Sequence, residues 1–447
     1  MKKEEQILTP RQAALLSVNS CIGNGKYTNL ELSSVIKKYS FEGLDKSFFT
    51  ALFYGTIEKM LTLDYCIAAL SSIKTEKIDS MVMCLLRTGL YQILFMDRVP
   101  DSAAVNESVE LAKRYCPKSS VGYVNAVLRS ASRSKQTLFE KMQSEKGLFG
   151  VSVMSSIPQD ILEVWERSYG RKCAVDIAAH FMSASPYVTL RTNTLKITRE
   201  RMLDSLGNIA AASAVTPSAI RLSGSFPVED IYGFNEGLFF VQDEASQLAA
   251  SFINNTVVPE GGIVVDVCAC PGGKSFSAAI NLGDKAHIYS FDLHANKLSL
   301  IEKGAQRLGI TNISVSSRDA RTNDETLIGK ADAVICDVPC SGLGVIAKKP
   351  DIRYKPVSES ERLPGIQKDI LSSASKYLKN GGVLIYSTCT LNKSENEDIV
   401  NAFLEENNTF SLSDDVIIGE KRGMATIFPQ EYSTDGFFIA KIIKNKE

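Results

Sequence analysis

Apolar residues recur at helical spacing through the first third of the chain, as at Met83, Leu86, Leu90 and Leu94 and then at Val105, Val109 and Ala112. This periodicity predicts amphipathic helices. Strand-like alternation is scarce there, and the breaker stretches Ile22–Gly25 and Arg98–Asp101 fall between the helical runs. An all-helical domain over 1–135 follows. The polar stretch 136–156, with short apolar interruptions, reads as a linker or connecting helix. Beyond it, Pro158–Gly170 reads as a helix with Trp165 on its apolar face, and Tyr187–Arg191 alternates like a strand. Short helical and turn segments continue to Gly237, so residues 157–240 are expected to form a small α+β unit.

After Gly237 the rhythm changes. Strand candidates at Ile263–Val267, His287–Phe291, Ile313–Ser316, Ala333–Cys336 and Gly382–Tyr386 alternate with helical runs at Lys274–Leu282, Ala295–Leu308, Glu361–Leu378 and Ser394–Glu406. Short strands separated by helices of 10–15 residues mean βαβ units, hence a parallel sheet covered on both faces. Residues 241–447 therefore read as a Rossmann-like α/β domain. The alternating run Gly436–Ile443 is expected to add an antiparallel edge strand.

Composition narrows the class. The 447 residues suit about three domains at roughly 150 residues each, and 44% hydrophobic with 23% charged residues is ordinary globular usage. Net charge is −1 overall, so a polyanion site must be a local patch. The chain start, MKKEEQILTP, has no apolar stretch behind its lysines, and no run approaches the ~18–20 apolar residues of a membrane span. A cytoplasmic protein with no membrane association is expected. Ten cysteines without a CxxC pair and only three histidines argue for reduced thiols and against a metal centre or a Ser-His-Asp site. The helical domain carries a modest positive excess, with clusters at Lys113-Arg114 and Arg129–Lys135. It reads either as a bundle with a solvated surface or as an RNA- or protein-docking module.

Ligands in open α/β sheets bind past the carboxyl ends of the strands, and four such ends carry chemistry. Val265-Asp-Val-Cys-Ala-Cys-Pro-Gly-Gly-Lys274 is a buried strand running into a tight glycine turn and a helix. A Walker A loop would need glycine where Cys268 stands, and GxGxxG is absent; what remains is a methyl-donor nucleoside site. Asp292, ending Ser290-Phe-Asp292, is placed to accept from ribose hydroxyls, and Asp319 to hold an adenine amino group. Asp337-Val-Pro-Cys-Ser-Gly-Leu-Gly344 and Tyr386-Ser-Thr-Cys-Thr390 put Cys340 and Cys389 just past two strand ends. Buried cysteines are commonly small hydrophobes, which suits Cys21, Cys66, Cys84, Cys116, Cys173 and Cys336. A thiol beside a methyl donor has a further use: adding to carbon 6 of cytosine makes carbon 5 nucleophilic. The basic run Ala347–Lys355 reads as a phosphate-gripping loop or a solvated one, with Tyr354 as a candidate for stacking on a base.

These three motifs, in this order and spacing, resemble the RNA cytosine-carbon-5 methyltransferases of the Fmu/Sun/NOL family. Arg191-Thr-Asn193 and Gly237–Gln247 look like the segments that precede that family's core. Leu52-Phe-Tyr-Gly55, Ala104–Ala112 and Gly122–Arg129 are similar to the antitermination factor NusB. The resemblance covers nearly the whole chain. It implies three parts: an all-α NusB-like domain, a small α+β RNA-binding subdomain, and a Rossmann-like S-adenosylmethionine-dependent methyltransferase domain. It further implies a cofactor loop of Cys268, Ala269, Cys270, Pro271, Gly272, Gly273 and Lys274, with Asp292 on the ribose and Asp319 near the adenine. Asp337 would stand beside the reacting centre, Cys389 would be the nucleophile, and Cys340 would assist product release. The implied substrate is one cytosine of 16S ribosomal RNA, acted on by a monomer. Another RNA, or an idle RNA-binding assembly factor on the same fold, are the alternatives. Cys270 stands where alanine is commoner in the family, and Ser317-Arg318 precede Asp319 where glycine is common.

Overall fold

The computed structural model describes residues 8–183, 187–224 and 227–446. The chain forms two compact units: residues 1–184 with 346–355, and 185–345 with 356–447.

The first unit is helical among its described residues. Thr9 starts the helix Pro10–Asn24 with a capping box shared with Gln12. This helix runs through Ile22–Asn24 and stops only at Gly25, whose φ of 64° closes it. The helix Ser80–Phe95 is buried along Val82–Leu86 and again at Leu90, Ile93 and Leu94. It shares one core with Leu15, Phe49, Phe53 and Leu128. Gly55 is required there, since a Cβ would lie 1.9 Å from the Tyr91 hydroxyl.

The stretch expected to be a linker forms two helices, Lys135–Ser144 and Gly147–Ser155. Leu138 and Met142 of the first and Val153 of the second enter the same core; a narrow buried stripe leaves the first of them polar in composition. The helices Gln159–Tyr169 and Arg171–Ser183 also belong to this unit. The boundary expected near residue 157 therefore falls after the fully buried Trp165, near residue 184.

The basic run is likewise different from the phosphate-gripping loop considered above. Residues 346–355 are part of the helical unit, and Arg353 is 1% exposed. Its guanidinium donates to the carbonyls of Glu58, Ser155 and Ser156. Those oxygens end the helices Gly43–Glu58 and Gly147–Ser155, where carbonyls lack intrahelical partners and the helix dipole favours a cation. The Tyr354 hydroxyl donates to the Glu58 carbonyl at 3.2 Å and lies 3.3 Å from the Ser156 hydroxyl. Neither side chain is free to meet RNA.

In the second unit, β1 (Val188–Thr192), β2 (Ala210–Ala212), β3 (Ala219–Leu222) and β4 (Phe239–Val241) form an antiparallel sheet in the order β2-β3-β1-β4. The larger sheet contains β5 (Ile263–Asp266), β6 (His287–Asp292), β7 (Ile313–Ser317), β8 (Ala331–Asp337), β9 (Leu378–Thr388) and β10 (Phe410–Leu412). A hairpin of β11 (Val416–Ile418) and β12 (Lys421–Arg422) precedes β13 (Met424–Ile427) and β14 (Phe437–Lys444). The order is β10-β14-β9-β8-β5-β6-β7, parallel from β9 to β7, with β13 also paired to β14. The final run is antiparallel as expected but lies inside the sheet, between β9 and β10. Val264, Ile335 and Ile385 enter one core, while Val265, Val334 and Leu384 enter another, the period-two division of a sheet buried on both faces.

The segments noted before the core are packing residues. Asn193 donates to the carbonyls of Gly237 and Leu308, and Arg191 to Asn281. Gly237 has φ 68°, and a Cβ there would meet the Arg307 carbonyl at 2.0 Å.

Candidate active site

β5 lies between β6 and β8, so the connection leaving β5 goes to one side while β8 arrives on the other. This is the switch point where open α/β sheets bind ligands. The carboxyl ends of β5, β6, β7, β8 and β9 carry, in turn, the glycine turn, Asp292, Asp319, Asp337 with Cys340, and Cys389.

The turn leads from β5 into the helix Gly273–Asn281. Gly272 has φ 109°, and a Cβ on it would sit 2.3 Å from the Phe276 ring. The Ala269 amide donates to the Phe291 carbonyl, and the Cys270 amide to Asp292 Oδ2 at 3.1 Å. Asp292 Oδ1 accepts from the His294 amide. Asp319 follows Arg318, whose amide donates to the Asp292 carbonyl. Its carboxylate is held by Arg321 at 2.6 Å and lies below the ordinary aspartate range because of those hydrogen bonds. Burial raises the pKa of Cys268 and of Cys270, which suits lining residues better than nucleophiles.

Beneath the turn, Asp266 is buried. Its Oδ2 accepts from Ser275 Oγ at 2.7 Å, and its Oδ1 has no hydrogen-bond partner among the described residues. Desolvation pushes its pKa up to about 7. Below pH ~4 the carboxyl is neutral in both folded and unfolded chains. Above that, the unfolded chain loses the proton while the folded one keeps it, so stability falls as pH rises towards 7. Asp266→Asn removes this penalty. In the ligand-free protein it is expected to add roughly 2–4 kcal/mol at pH 8, with the difference vanishing near pH 4. Thermal melts across pH check this; parallel curves for the two proteins would refute it.

Asp337 joins the turn to the cysteines. Its Oδ2 is 2.6 Å from Lys274 Nζ, and its Oδ1 accepts from Ser387 Oγ at 2.7 Å. Cys340 and Cys389 are both half-buried, with their sulfurs 3.4 Å apart. The hydrogen bond with Cys389, then burial, raise the Cys340 pKa well above that of an ordinary thiol. Behind the two loops, Gly344 and Gly436 make close backbone contact. The Gly436 amide donates to the Gly344 carbonyl, and a Cβ on Gly344 would lie 1.9 Å from the Gly436 carbonyl.

The residues of the cofactor turn, Asp292, Asp319, Asp337, Cys340 and Cys389 thus lie at the carboxyl ends of neighbouring strands of one sheet, whereas Tyr354 of the basic run belongs to the helical unit. Sequence reasoning missed Ser387, Gln367, Glu395 and Asn396, which support these loops through hydrogen bonds. Ser387 stood inside a quoted motif, whereas Gln367 sits in an unremarkable helix and carried no local signal.

Comparison with known proteins gives the family. The NusB family matches residues 8–133, and the family described as 16S rRNA methyltransferase RsmB/F matches residues 257–443. A Bacillus subtilis (strain 168) protein, the probable ribosomal RNA small subunit methyltransferase B, is 35% identical over 97% of this chain and 98% of its own. The chain belongs to the ribosomal RNA small subunit methyltransferase B family. Another relative of that name, from Proteus mirabilis (strain HI4320), is 31% identical over 93% of this chain and 94% of its own. Two crystal structures share the fold. PH0851 aligns with a TM-score of 0.80 and 24% identity over 98% of this chain and all of its own. NSun6 from Pyrococcus horikoshii, solved with SFG, aligns at 0.56 and 22% over 66% of this chain and all of its own.

The ribosomal RNA small subunit methyltransferase B family uses S-adenosylmethionine, and the residues present suit it. A glycine turn that leaves no room for a Cβ, a strand-end carboxylate at Asp292 and the unpartnered buried Asp266 Oδ1 together make a polar cradle for a nucleoside bearing an amino-acid tail. No helix among the described residues is long and apolar enough to cross a membrane.

Proposed function

We propose that this chain methylates carbon 5 of one cytosine in 16S ribosomal RNA through a covalent bond between Cys389 and carbon 6 of the base. The observation that carries this reading is the pair of sulfurs 3.4 Å apart, beside a carboxylate held by the last residue of the glycine turn. One thiol suffices for addition to a pyrimidine; a second thiol at contact distance has work in the step that undoes it.

Residues Cys268–Lys274 and Asp292 would hold S-adenosylmethionine, with Asp319 towards the adenine once its exposed pair with Arg321 yields, and Asp337 at the methyl end. When bound, that group supplies an electrophilic methyl. The target base leaves its stack to reach the sheet edge. Cys389 gives an electron pair to carbon 6, and the ring becomes an enamine whose carbon 5 is nucleophilic. Asp337, an acceptor in its ion pair with Lys274, meets the exocyclic amino group that distinguishes cytosine from uracil. The Lys274 ammonium offsets the negative charge growing on the ring as sulfur adds.

Release requires the carbon-5 proton to leave. Cys340 takes that proton, the C–H electron pair forms the C5–C6 double bond, and the C6–S bond breaks to return the Cys389 thiolate. Before addition, the hydrogen bond between the two sulfurs and burial hold the Cys340 pKa well above that of an ordinary thiol, so Cys340 is protonated. Once Cys389 is bonded to carbon, that hold is gone; Cys340 gives its proton to solvent and, as the thiolate, accepts the one from carbon 5.

Bisulfite sequencing tests the reading. RNA from cells lacking the gene, treated with this protein and S-adenosylmethionine, should gain one cytosine in 16S RNA that resists deamination. Protection only in transfer or 23S RNA would move the substrate. Protection in no RNA would favour an assembly factor that has lost the chemistry.

A further inference from the structure

Glu395 is fully buried, lies outside every motif used so far, and makes no contact with the cofactor turn among its hydrogen bonds. Its Oε2 accepts from the Ser341 amide and from Gln367 Nε2, both at 2.9 Å. Its Oε1 accepts from the Ser341 hydroxyl at 2.5 Å and from Asn392 Nδ2 at 3.0 Å. Gln367 also donates to the Pro339 carbonyl at 2.9 Å. The residues on both sides of Cys340 are therefore tied, directly or through one side chain, to a single carboxylate.

The neighbouring Asn396 serves the other cysteine. It accepts from the Thr388 hydroxyl at 2.5 Å and donates to the Thr390 carbonyl at 3.0 Å, bracketing Cys389. The two brackets meet where the Ser341 and Thr390 hydroxyls lie 2.6 Å apart. The Tyr386 hydroxyl, from β9, donates to the Glu395 carbonyl at 2.7 Å and holds the Glu395–Asn396 backbone in place.

We propose that Glu395 is a positioning residue that sets Cys340 against Cys389 and thereby governs release of the methylated base. The proposal rests on the covalent reading above and assigns Glu395 to its second half. A carboxylate suits this place because it accepts several hydrogen bonds at once, and buried bonds of this kind define one loop position. Without it, the Ser341 amide loses its acceptor and Gln367 one of its two, and the Pro339–Ser341 loop can drift while Cys389 stays bracketed by Asn396. Addition and methyl transfer then continue, but the proton on carbon 5 finds no base at the right distance.

The test uses the full-length protein, unmodified 16S RNA, and the same RNA containing 5-fluorocytidine, which blocks proton loss. Glu395→Ala should lower multiple turnover by about 10–100-fold, the scale for a reacting group misplaced by ~1 Å. A covalent protein–RNA band should accumulate on unmodified RNA, as with Cys340→Ala, while the fluorinated RNA traps it like the parent protein. Ser341→Ala should give the same band more weakly, and Glu395→Gln, which keeps one oxygen for the Ser341 amide, should recover most of the turnover. If Glu395→Ala does not fold, Ser341→Ala and Glu395→Gln carry the test. Parent-like turnover without a band in the folded variants would overturn the role of Glu395. Equal loss of turnover and of trapping on fluorinated RNA would overturn it too, by showing a general collapse of the site. If the parent and Cys340→Ala also give no adduct on either RNA, it is the covalent reading that has failed.

Discussion

Cys389→Ala is expected to abolish methyl transfer, with a loss on the order of 10⁴–10⁶-fold in rate, as when a nucleophile is removed from a group that acts as a unit. The reason is chemical: carbon 5 of cytosine becomes nucleophilic only when sulfur has added at carbon 6. The substitution deletes one half-buried sulfur at the end of β9, and neither Lys274 nor Asp292 contacts it through any of the bonds described. Calorimetric titration with S-adenosylmethionine should therefore give the parent affinity. A tritium-methyl assay reads the loss directly. Retained activity would exclude Cys389 as the nucleophile, and parallel loss of cofactor affinity would assign the defect to the fold.

Cys340→Ala has the opposite signature. Addition and methyl transfer precede the step assigned to Cys340, so the variant should transfer about one methyl per molecule and then stall as a covalent RNA adduct. The band should survive denaturing gels and disappear when the RNA is digested. Turnover should fall by ~10²–10⁴-fold, the contribution typical of a positioned general base. An adduct formed by Cys389→Ala and not by Cys340→Ala would exchange the roles of the two sulfurs.

The parts of the fold that local pattern made legible are those where burial repeats with a fixed period. The five parallel strands were visible as short apolar runs, because strands covered on both faces carry few polar residues. Their ends were less legible. β9 extends from Leu378 to Thr388, although apolar residues mark only its middle. Ser387 and Thr388 are fully buried polar residues whose partners, Asp337 and Asn396, come from other segments. The helix at 135–144 was obscured for the converse reason: one thin apolar stripe is enough to dock a short helix. Arg353 misled because a basic run ordinarily faces solvent. Here the free carbonyls of two helix ends supplied the acceptors that allow a guanidinium to be buried.

Much of the candidate site could be read in the same way, since a glycine turn after a strand and cysteines just past strand ends are local features. The chain's own order of residues determined the succession of helices and strands, the glycine turn, the two cysteines just past strand ends and the family. Only the tertiary structure decided which of these features meet. β5 beside β8 brings Lys274 to Asp337, and the parallel register that pairs Asp337 with Ser387 brings Cys340 within 3.4 Å of Cys389, 49 residues away. Periodicity records which face of an element is buried. Strand order, register and the partners of a buried carboxylate such as Glu395 depend on contacts distant in the chain, and no local pattern of residue types encodes them.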